Sequence, residues 1–224
     1  MDQEIRVALV GGSEALRKSR RELLATASNL KVIHDSDGFG LSPEALTEIN
    51  FDVAVIELRL ENQSALDYIK AAFVAANIRN LSFGRVLIAA QFSQTQLRLE
   101  AIKAGAVDCV FIDEGIKATI DKINLCADEL SDFGIRELLL TMDKPGISGT
   151  DFQALSLALD TLDEKEAKIL HGFCELKTDS QIASAIHVPK LKVRQTIAKV
   201  QKLLAINTRS QLLLKMFEAG ALAL

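Results

Sequence analysis

Short apolar runs alternate with longer amphipathic segments through residues 1–130. These runs have the length of β-strands and are almost continuously apolar; they cover residues 5–10, 30–33, 53–56, 86–90 and 109–112. Strands of this kind are typical of parallel sheets, because helices cover both faces of such a sheet. The alternation of strand and helix predicts right-handed βαβ units and therefore an α/β domain with a five-stranded, doubly wound parallel sheet.

The segments between the predicted strands carry helix start and stop signals. Ser13 and Ser42 precede amphipathic segments as N-caps, and Ser93 forms a capping box with Gln96 three residues later. Gly105 follows the next helical segment, at the position where a left-handed residue ends a helix. The sequence therefore predicts where three of the helices begin and where one of them ends.

Beyond residue 130 the pattern predicts only helices. The apolar segment 135–142 predicts a helical extension, and the run KPGISG at 144–149 predicts a break, since Pro and Gly oppose both helix and strand. The later predicted helices are 151–159, 164–173 with Asp163 as N-cap, 180–186, 191–204 and 209–217. We therefore predict three parts, which are an α/β domain at 1–130, a helical extension and linker at 131–150, and a small all-α domain at 151–224.

Charge is divided unevenly between these parts. Residues 1–150 hold 16 Lys and Arg against 22 Asp and Glu, whereas residues 151–224 hold 10 against 8. The segment from Lys190 to Lys215 contains no Asp or Glu, and its basic residues are Lys190, Lys192, Arg194, Lys199, Lys202, Arg209 and Lys215. Such a surface attracts a polyanion, and DNA carries one phosphate charge per ~1.7 Å of helix axis.

The composition is that of a globular protein, with 49% hydrophobic and 25% charged residues. No apolar run reaches the roughly 18 residues that suggest a bilayer span, and the first ten residues lack a signal-type pattern, so we expect a cytoplasmic protein without membrane association. The three cysteines lack CxxC spacing and the three histidines are scattered, which favours buried free thiols over a metal site or disulfides. We predict no cofactor and no metal.

The predicted helix 191–204 combines an apolar stripe with a basic face. Its apolar residues, Leu191, Val193, Ile197, Val200 and Leu204, lie largely along one side, which predicts packing against a core. The other faces present long hydrogen-bond donors, a pattern that suits the DNA major groove. The candidate DNA-binding residues are Lys190, Lys192, Arg194, Gln195, Lys199 and Lys202 on this helix and Thr178 before the preceding helix.

Within this set we predict different roles. Arg194 and Gln195 are the candidates for base contact, since Arg can bond guanine and Gln can bond adenine bidentately. The lysines are predicted to position the helix on phosphates, with Thr178 as a neutral phosphate donor. The charge pattern alone also allows an alternative to DNA binding, in which the basic face is simply exposed to solvent.

The stretch 162–214 resembles the LuxR/FixJ-type helix-turn-helix. The resemblance is carried by the Leu-x-x-x-Glu start at 162–166, by the Ile-Ala pair at 182–183 on the scaffold helix, and by Lys-Val-Arg at 192–194, where the recognition helix begins. It implies a DNA-binding transcription regulator, with the basic helix as the element that reads the groove.

This resemblance is incomplete at three positions. Leu176 stands where the family usually has glycine between the first two helices, and Ala205 replaces the glycine after the recognition helix, so we expect both turns to differ in detail. Ala198 stands where the family often has a third polar base contact. The family's sequence preference is therefore not carried over to this chain.

Residues 4–128 resemble the receiver domain of two-component response regulators, which has a flavodoxin-like fold. The stretches IRVALVGGSEALRKSRRELL, FDVAVIELRL, VLIAA and AIKAGAVDCVFID carry the resemblance. In that family an acidic pair holds Mg²⁺, an aspartate accepts the phosphoryl group, and a hydroxyl and a lysine stabilise its charge. The corresponding residues here are Gly11, Gly12, Glu57, Ala90 and Ile112. We therefore predict a degenerate, inactive phosphorylation pocket.

Two features of this pocket allow alternative interpretations. Glu57 is either a carboxylate that imitates a phosphorylated aspartate or a leftover acid that is solvated or paired with a neighbouring base; the missing hydroxyl and lysine favour the second. The loop at Gly11 and Gly12 is either a phosphate cradle before a helix or a tight turn. Two glycines without a complete GxGxxG or GxxxxGK[ST] pattern favour the turn.

Together these features predict a bacterial, sequence-specific transcription regulator that acts without aspartate phosphorylation. We expect it to bind double-stranded DNA as a homodimer, because one small helix-turn-helix buries limited DNA surface. The receiver-like domain is expected to serve assembly, or to bind a regulatory protein or a small ligand. An RNA-binding antiterminator and a pure protein-interaction module are the alternatives. An enzyme is not expected, since no nucleophile, base and orienting group converge in the sequence.

Overall fold

The computed structural model describes residues 4–61, 63–91, 94–127, 135, 139 and 160–219. The chain divides into two compact units, Met1–Asp128 and Glu129–Leu224. The break predicted at 144–149 and the helix predicted at 151–159 lie outside the described residues, as does most of the predicted extension 135–142. Ile135 and Leu139 of that extension are helical and buried.

The first unit contains the predicted five-stranded parallel sheet. Its strands are β1 (Ile5–Val10), β2 (Leu30–Ser36), β3 (Val53–Glu57), β6 (Arg85–Ala90) and β7 (Asp108–Phe111). They follow the order β2-β1-β3-β6-β7 and all pair in parallel. A short antiparallel pair, β4 (Arg59–Leu60) and β5 (Gln63–Ser64), follows β3. The sequence-based prediction of a doubly wound α/β fold is confirmed.

Helices flank this sheet on both faces. They are α1 (Glu14–Leu24), α2 (Pro43–Leu46), α3 (Ala65–Ile78), α4 (Thr95–Ala104) and α5 (Gly115–Ala127), with a 3₁₀ turn at Ile112–Glu114. Alternate residues of β3 enter different cores: Ala54 and Ile56 pack in a cluster with Tyr68 of α3, whereas Val53 and Val55 pack in a cluster with Ile123 of α5. Strands buried on both faces explain the continuous apolar runs of the sequence.

The predicted helix caps agree with the structure except at the start of α4. The Ser13 hydroxyl accepts the Leu16 N–H at 3.3 Å, and Ser42 caps α2 in the same way. Gly105 ends α4 with a φ of 113°, in the left-handed region. The capping box predicted at Ser93 is wrong, because α4 takes Gln94 as its N-cap without a side-chain hydrogen bond. Ser93 itself lies outside the described residues.

Residues 160–219 of the second unit contain four helices around an apolar centre. They are α6 (Glu164–Cys174), α7 (Asp179–Ala185), α8 (Lys190–Leu203) and α9 (Arg209–Glu218). Capping boxes start three of them, through Asp163 for α6, Thr178 for α7 and Thr208 for α9. Helix α8 packs against α6 and α7. Among the described residues, no helix combines the length and apolarity that a bilayer crossing requires.

Three successive helices of this unit end in left-handed residues that are not glycine. Leu176 after α6 has a φ of 58°, His187 after α7 a φ of 53°, and Ala205 after α8 a φ of 52°. After α8, the Ile206 N–H donates to the Gln201 carbonyl at 2.8 Å, the hydrogen bond of a Schellman motif. The turns at Leu176 and Ala205 therefore take the conformation that glycine favours, and the non-glycine residues add strain without changing that conformation.

The three cysteines are free and buried, as the sequence predicts. Burial raises the pKa of Cys109, Cys126 and Cys174 to about 12 in each case. At neutral pH these side chains are therefore protonated thiols that contribute to packing, because the thiolate is the reactive form of cysteine.

Candidate nucleic-acid interface and the pocket at the strand ends

Helix α8 buries one side and exposes the other. Val193, Ile197 and Val200 are at most 1% exposed and form the buried side. The exposed residues of the helix are Lys190, Leu191, Arg194, Gln195, Ala198, Lys199, Lys202 and Leu203. The sequence places Leu191 on the core stripe, and this is wrong: its side chain is 62% exposed. The first turn of α8 therefore presents a leucine beside its cationic and amide side chains.

Two lysines of α8 converge on one buried carboxylate from α6. Lys199 Nζ donates to Glu166 Oε2 at 2.6 Å, and Lys192 Nζ donates to Glu166 Oε1 at 3.1 Å. The Glu166 side chain is only 9% exposed, and it also accepts a hydrogen bond in the capping box of α6. The hydrogen bond from Lys199 lowers the pKa of Glu166 to about 2, and Lys192 adds to this effect. This carboxylate is ionised at neutral pH and holds both lysine side chains.

A second buried acid holds two arginines. Arg209 Nη2 donates to Asp179 Oδ1 at 2.8 Å, and Arg194 Nε lies 3.6 Å from Asp179 Oδ2. The Asp179 side chain is 3% exposed, whereas that of Arg194 is 51% exposed. The Arg209 guanidinium also lies 5.0 Å from the centroid of the Phe173 ring. Asp179 therefore links Arg194, on the exposed face of α8, to the interior of the unit.

No local sequence signal identifies these two acids as partners of the basic helix. The segment from Lys190 to Lys215 contains no acid, but Glu166 and Asp179 belong to α6 and α7 and reach α8 through the packing of the unit. Three candidate DNA-binding side chains, those of Lys192, Arg194 and Lys199, therefore have acidic partners within the same unit. The sequence signal for Glu166 was available only as the acid three residues after the N-cap in a capping box.

Thr178 has a structural role at the start of α7. Its hydroxyl accepts the Gln181 N–H at 3.3 Å and lies 3.1 Å from Gln181 Oε1, to which it can donate. The Gln181 side chain in turn accepts the Thr178 N–H at 2.8 Å. The hydroxyl predicted to donate to a phosphate thus already has a local acceptor, and a phosphate contact requires exchange of that hydrogen bond.

The five candidate pocket residues of the receiver-like fold surround the carboxyl ends of β1, β3, β6 and β7. Gly11 and Gly12 have φ angles of 91° and 83°. A Cβ atom on Gly11 would lie 2.7 Å from Leu60 and 2.8 Å from Glu57, and one on Gly12 would lie 3.0 Å from Leu16. Both glycines are therefore required by a tight turn, and a side chain at position 11 does not fit without rearrangement.

The Glu57 carboxylate is paired with a base from α1. Arg20 Nη1 contacts Glu57 Oε1 as an ion pair, and both side chains are 14% exposed. A neighbouring acid at the end of β2, Asp35, is held in the same way by Arg17 at 2.5 Å and by Arg21. Arginines of α1 thus neutralise the acids at this edge of the sheet, where a divalent cation would need free carboxylates.

The remaining two pocket positions offer no polar group to a phosphate. Ala90 ends β6 and is 4% exposed, and Ile112 follows β7 with 51% of its side chain exposed. A cavity of about 210 Å³ lies beside Ile112 between α1 and α5, with apolar walls that include Leu24 and Val110. The polar groups that line it include the Thr119 hydroxyl and the Arg20 guanidinium. At about 210 Å³ this cavity is smaller than the roughly 300–1,000 Å³ of typical ligand pockets, so its size and mainly apolar lining suit only a small apolar molecule.

Solved structures of response regulators resemble this chain. A two-component response regulator of the LuxR family from Aurantimonas sp. SI85-9A1 is 18% identical, with 56% of this chain and 86% of that chain covered and a TM-score of 0.50. Full-length FixJ from B. japonicum is 18% identical over 97% of this chain and 98% of that chain, with a TM-score of 0.41. RcsB from Salmonella enterica serovar Typhimurium, in a complex with the promoter rprA, is 13% identical over 95% of this chain and 98% of that chain, with a TM-score of 0.46.

No protein-family model and no curated protein matches the sequence. At the identities found, the structural likeness concerns the fold alone. This fold is a receiver-like, five-stranded parallel α/β arrangement that is followed along the chain by a helical region.

Proposed function

We propose that this protein is a sequence-specific DNA-binding transcription regulator of the response-regulator type, whose receiver-like domain acts without aspartate phosphorylation. The observation that carries the proposal is the exposed face of α8, which combines Arg194, Gln195 and Lys202 on a helix whose opposite side is buried. Such a helix fits the DNA major groove and presents donors to base edges and phosphates.

In this proposal α7 and α8 form a helix-turn-helix with α8 as the recognition helix. Arg194 and Gln195 contact bases, and Lys190 and Lys202 contact phosphates. Lys192 and Lys199 reach phosphates by leaving Glu166, which is feasible because their side chains are 38% and 41% exposed.

The start of α8 supports a phosphate-facing position. Its N-cap, Pro189, makes no side-chain hydrogen bond, and no acid stands in its first turn, whereas capping boxes start α6, α7 and α9. The start of α8 therefore has no acidic residue in its first turn and no side-chain cap of the kind that begins those three helices. A helix N-terminus of this kind stabilises an anion such as a DNA phosphate.

Three observations support a receiver-like domain that does not use phosphate. The turn at Gly11 and Gly12 excludes the side chains of an acidic pair, Arg20 neutralises Glu57, and Ile112 stands at the lysine position. We propose that this domain at 1–130 serves assembly or binds a regulatory protein or a small ligand, and the cavity between α1 and α5 is the proposed ligand site. The linker at 131–150 and the DNA-binding domain at 151–224 complete the proposed organisation, and the protein binds DNA as a homodimer.

The decisive experiment selects duplexes from a random pool with the full-length protein at 50 mM salt and then measures their affinities. We expect a defined motif. We expect the double variant Arg194→Ala, Gln195→Ala to lose its preference for that motif over random DNA by about thirty-fold or more, since two bidentate contacts at about 1–3 kcal/mol each provide about 2–6 kcal/mol of discrimination. Lys168→Ala is the control, because Lys168 is exposed on α6 and pairs with Glu164.

Two results would contradict the proposal. The first is that the protein binds no duplex at low salt. The second is that the double variant retains the full sequence preference of the wild-type protein. A preference for structured RNA over every duplex would favour the antiterminator alternative instead.

A further inference from the structure

The first turn of α8 carries an apolar side chain that the buried core does not use. Leu191 is 62% exposed, and Leu203 at the other end of the same helix is 47% exposed. Among the described residues of the second unit, these two are the only exposed large hydrophobic side chains. The residues adjoining Leu191, Lys190 and Lys192, are cations, so its side chain lies within a polar surface.

Leu191 shares its helix face with the candidate base-contacting residues. In an α-helix, residues three, four and seven positions apart lie on one side, so Leu191, Arg194, Gln195 and Ala198 form one exposed face. At a rise of 1.5 Å per residue, Leu191 and Ala198 are about 10.5 Å apart along the helix axis, which is about three base-pair steps of 3.4 Å. The face therefore places two apolar residues on either side of a guanidinium and an amide.

The orientation of this face is fixed by the interior of the unit. Val193 and Ile197 are buried, and the buried Asp179 holds the Arg194 side chain from below. When Arg194 and Gln195 point into a groove, Leu191 and Ala198 point into the same groove. Helix-turn-helix proteins use the first turns of the recognition helix for base contacts, and Leu191 is the second residue of α8.

The chemistry of the major groove identifies the partner of these apolar residues. Base edges in that groove present hydrogen-bond donors and acceptors, and the 5-methyl group of thymine is their one apolar feature. We propose that Leu191 and Ala198 read thymine methyl groups that flank the bases contacted by Arg194 and Gln195. This inference rests on the proposed DNA-binding function and adds a specificity element to it.

The expected effect follows from the burial of one methyl group. Replacement of thymine by uracil removes only the 5-methyl group and leaves base pairing unchanged. Loss of one buried methyl should weaken binding about four-fold, which corresponds to about 0.8 kcal/mol. Because Leu191 is exposed and leucine and alanine are both good helix formers, Leu191→Ala should leave the fold and the thermal stability nearly unchanged.

The test compares thymine and uracil at every thymine of the selected duplex, with the wild-type protein and with Leu191→Ala. We expect one thymine position at which uracil weakens the wild-type protein about four-fold and Leu191→Ala not at all. Leu203→Ala is the matched control, because Leu203 is an exposed leucine at the far end of the same helix, and it should retain the uracil penalty. Ala198→Gly should remove the penalty at a second thymine, two to four base steps away.

The outcomes separate this inference from the function on which it depends. If the wild-type protein selects a duplex but binds thymine and uracil forms equally, Leu191 does not read a methyl group and the DNA-binding proposal stands. If Leu191→Ala weakens both forms by the same factor, the side chain contributes by a different contact and the inference is wrong. If no duplex is selected at all, the proposed function itself fails.

Discussion

At the residue scale, two acids of the second unit are buried in ion pairs and one of its alanines has a left-handed backbone, although acids usually lie at the surface and alanine rarely adopts that conformation. Glu166 and Asp179 are acids buried beneath a basic helix, and Ala205 has a left-handed backbone that glycine adopts more easily. In each case a neighbouring group explains the arrangement. Lysines and arginines compensate the buried charge, and a Schellman hydrogen bond holds the turn at Ala205.

Ala205→Gly should stabilise the protein by about 1 kcal/mol, because a left-handed backbone costs an L-residue about 1–2 kcal/mol and Ala205 is exposed. Urea unfolding of the full-length protein measures the change. Ala198→Gly is the matched control; at this exposed position inside α8, glycine should destabilise by about 1 kcal/mol. Equal loss of stability in both variants would show that Ala205 is not strained.

Glu166→Gln should lower the free energy of unfolding by about 2 kcal/mol at pH 7, because two charged lysines lose the carboxylate that accepts their hydrogen bonds. The pKa of Glu166 is lowered to about 2 in the folded protein from an ordinary value of 4.5. Its contribution is therefore complete above about pH 4.5 and is lost as the pH falls towards 2. The stability difference between wild type and variant, from urea unfolding, should shrink between pH 5 and pH 3.

The control for this prediction is Glu164→Gln. Glu164 pairs with Lys168 on the surface of the same helix, and its side chain is 83% exposed, so its replacement should leave the free energy of unfolding nearly unchanged. A difference between wild type and Glu166→Gln that stays constant from pH 7 to pH 3 would contradict the proposed charge network. Glutamine preserves the capping-box geometry, so the comparison isolates the charge.

At the element scale, the turn from β1 to α1 and the exposed face of α8 carry the two features on which the proposed function depends. The turn brings the backbone of Gly11 against Glu57 and Leu60, so the edge where a metal pair would stand is filled by packing. Helix α8 has the opposite property, because its exposed side chains project away from the core while the buried ones fix its orientation. The turn from β1 to α1 therefore fills the position of a metal pair, whereas α8 presents an exposed face.

Gly11→Ala should destabilise the protein by about 2–4 kcal/mol, because the new Cβ meets two side chains below 3.0 Å in addition to the cost of a left-handed backbone. Gly40→Ala is the control, since Gly40 has a φ of 74° but a Cβ atom added there would have no heavy atom within 4 Å. Gly40→Ala should lower the free energy of unfolding, measured with urea, by only about 1 kcal/mol, because only the left-handed backbone opposes the new side chain. Equal effects at the two sites would show that the close approach at Gly11 is absent.

At the scale of the whole molecule, an acidic α/β part precedes a slightly basic helical part in the same chain. The net charge of the 224 residues is −4, so the proposed DNA binding requires cations placed together on one surface and not a large total number of them. The proposed function therefore requires that the cations of α8 outweigh the net negative charge in the interaction with DNA. It also requires that salt strongly weakens the protein–DNA complex.

Lys202→Ala should weaken DNA binding and reduce the slope of log affinity against log salt concentration by about 1, because one phosphate contact is lost. Titrations between 50 and 200 mM salt measure that slope. Lys70→Ala removes the same charge from α3, where Lys70 pairs with Asp67, and should leave the slope unchanged. If both variants change the slope equally, net charge and not a local contact governs the binding.

Glu57→Gln should leave DNA affinity within about two-fold of the wild type, because Glu57 is paired with Arg20 and has no hydroxyl or lysine partner at positions 90 and 112. A role as a permanent imitation of phosphoaspartate predicts a loss of ten-fold or more in affinity. Arg20→Gln is the companion variant. The double variant Glu57→Gln, Arg20→Gln should lose less free energy of unfolding than the two single variants lose together, since it leaves neither charge unpaired.

The sequence by itself determined the order of strands and helices, because that order depends on local patterns of apolar and polar residues. The five apolar runs, the caps at Ser13 and Ser42, and the basic face with Arg194 and Gln195 are all properties of short segments, and the structure contains each of them. The resemblance also located Gly11 and Glu57 correctly at the strand ends.

The tertiary structure alone decided which charges meet and which apolar residues remain exposed. Glu166 and Lys199 are 33 residues apart, and Asp179 and Arg209 are 30 apart, so no local pattern connects them. Leu191 lies on the apolar stripe in sequence but at the exposed start of α8, because the neighbouring helices do not cover that turn. Such pairings and exposures arise from the packing of distant segments, and spacing along the chain does not encode them individually.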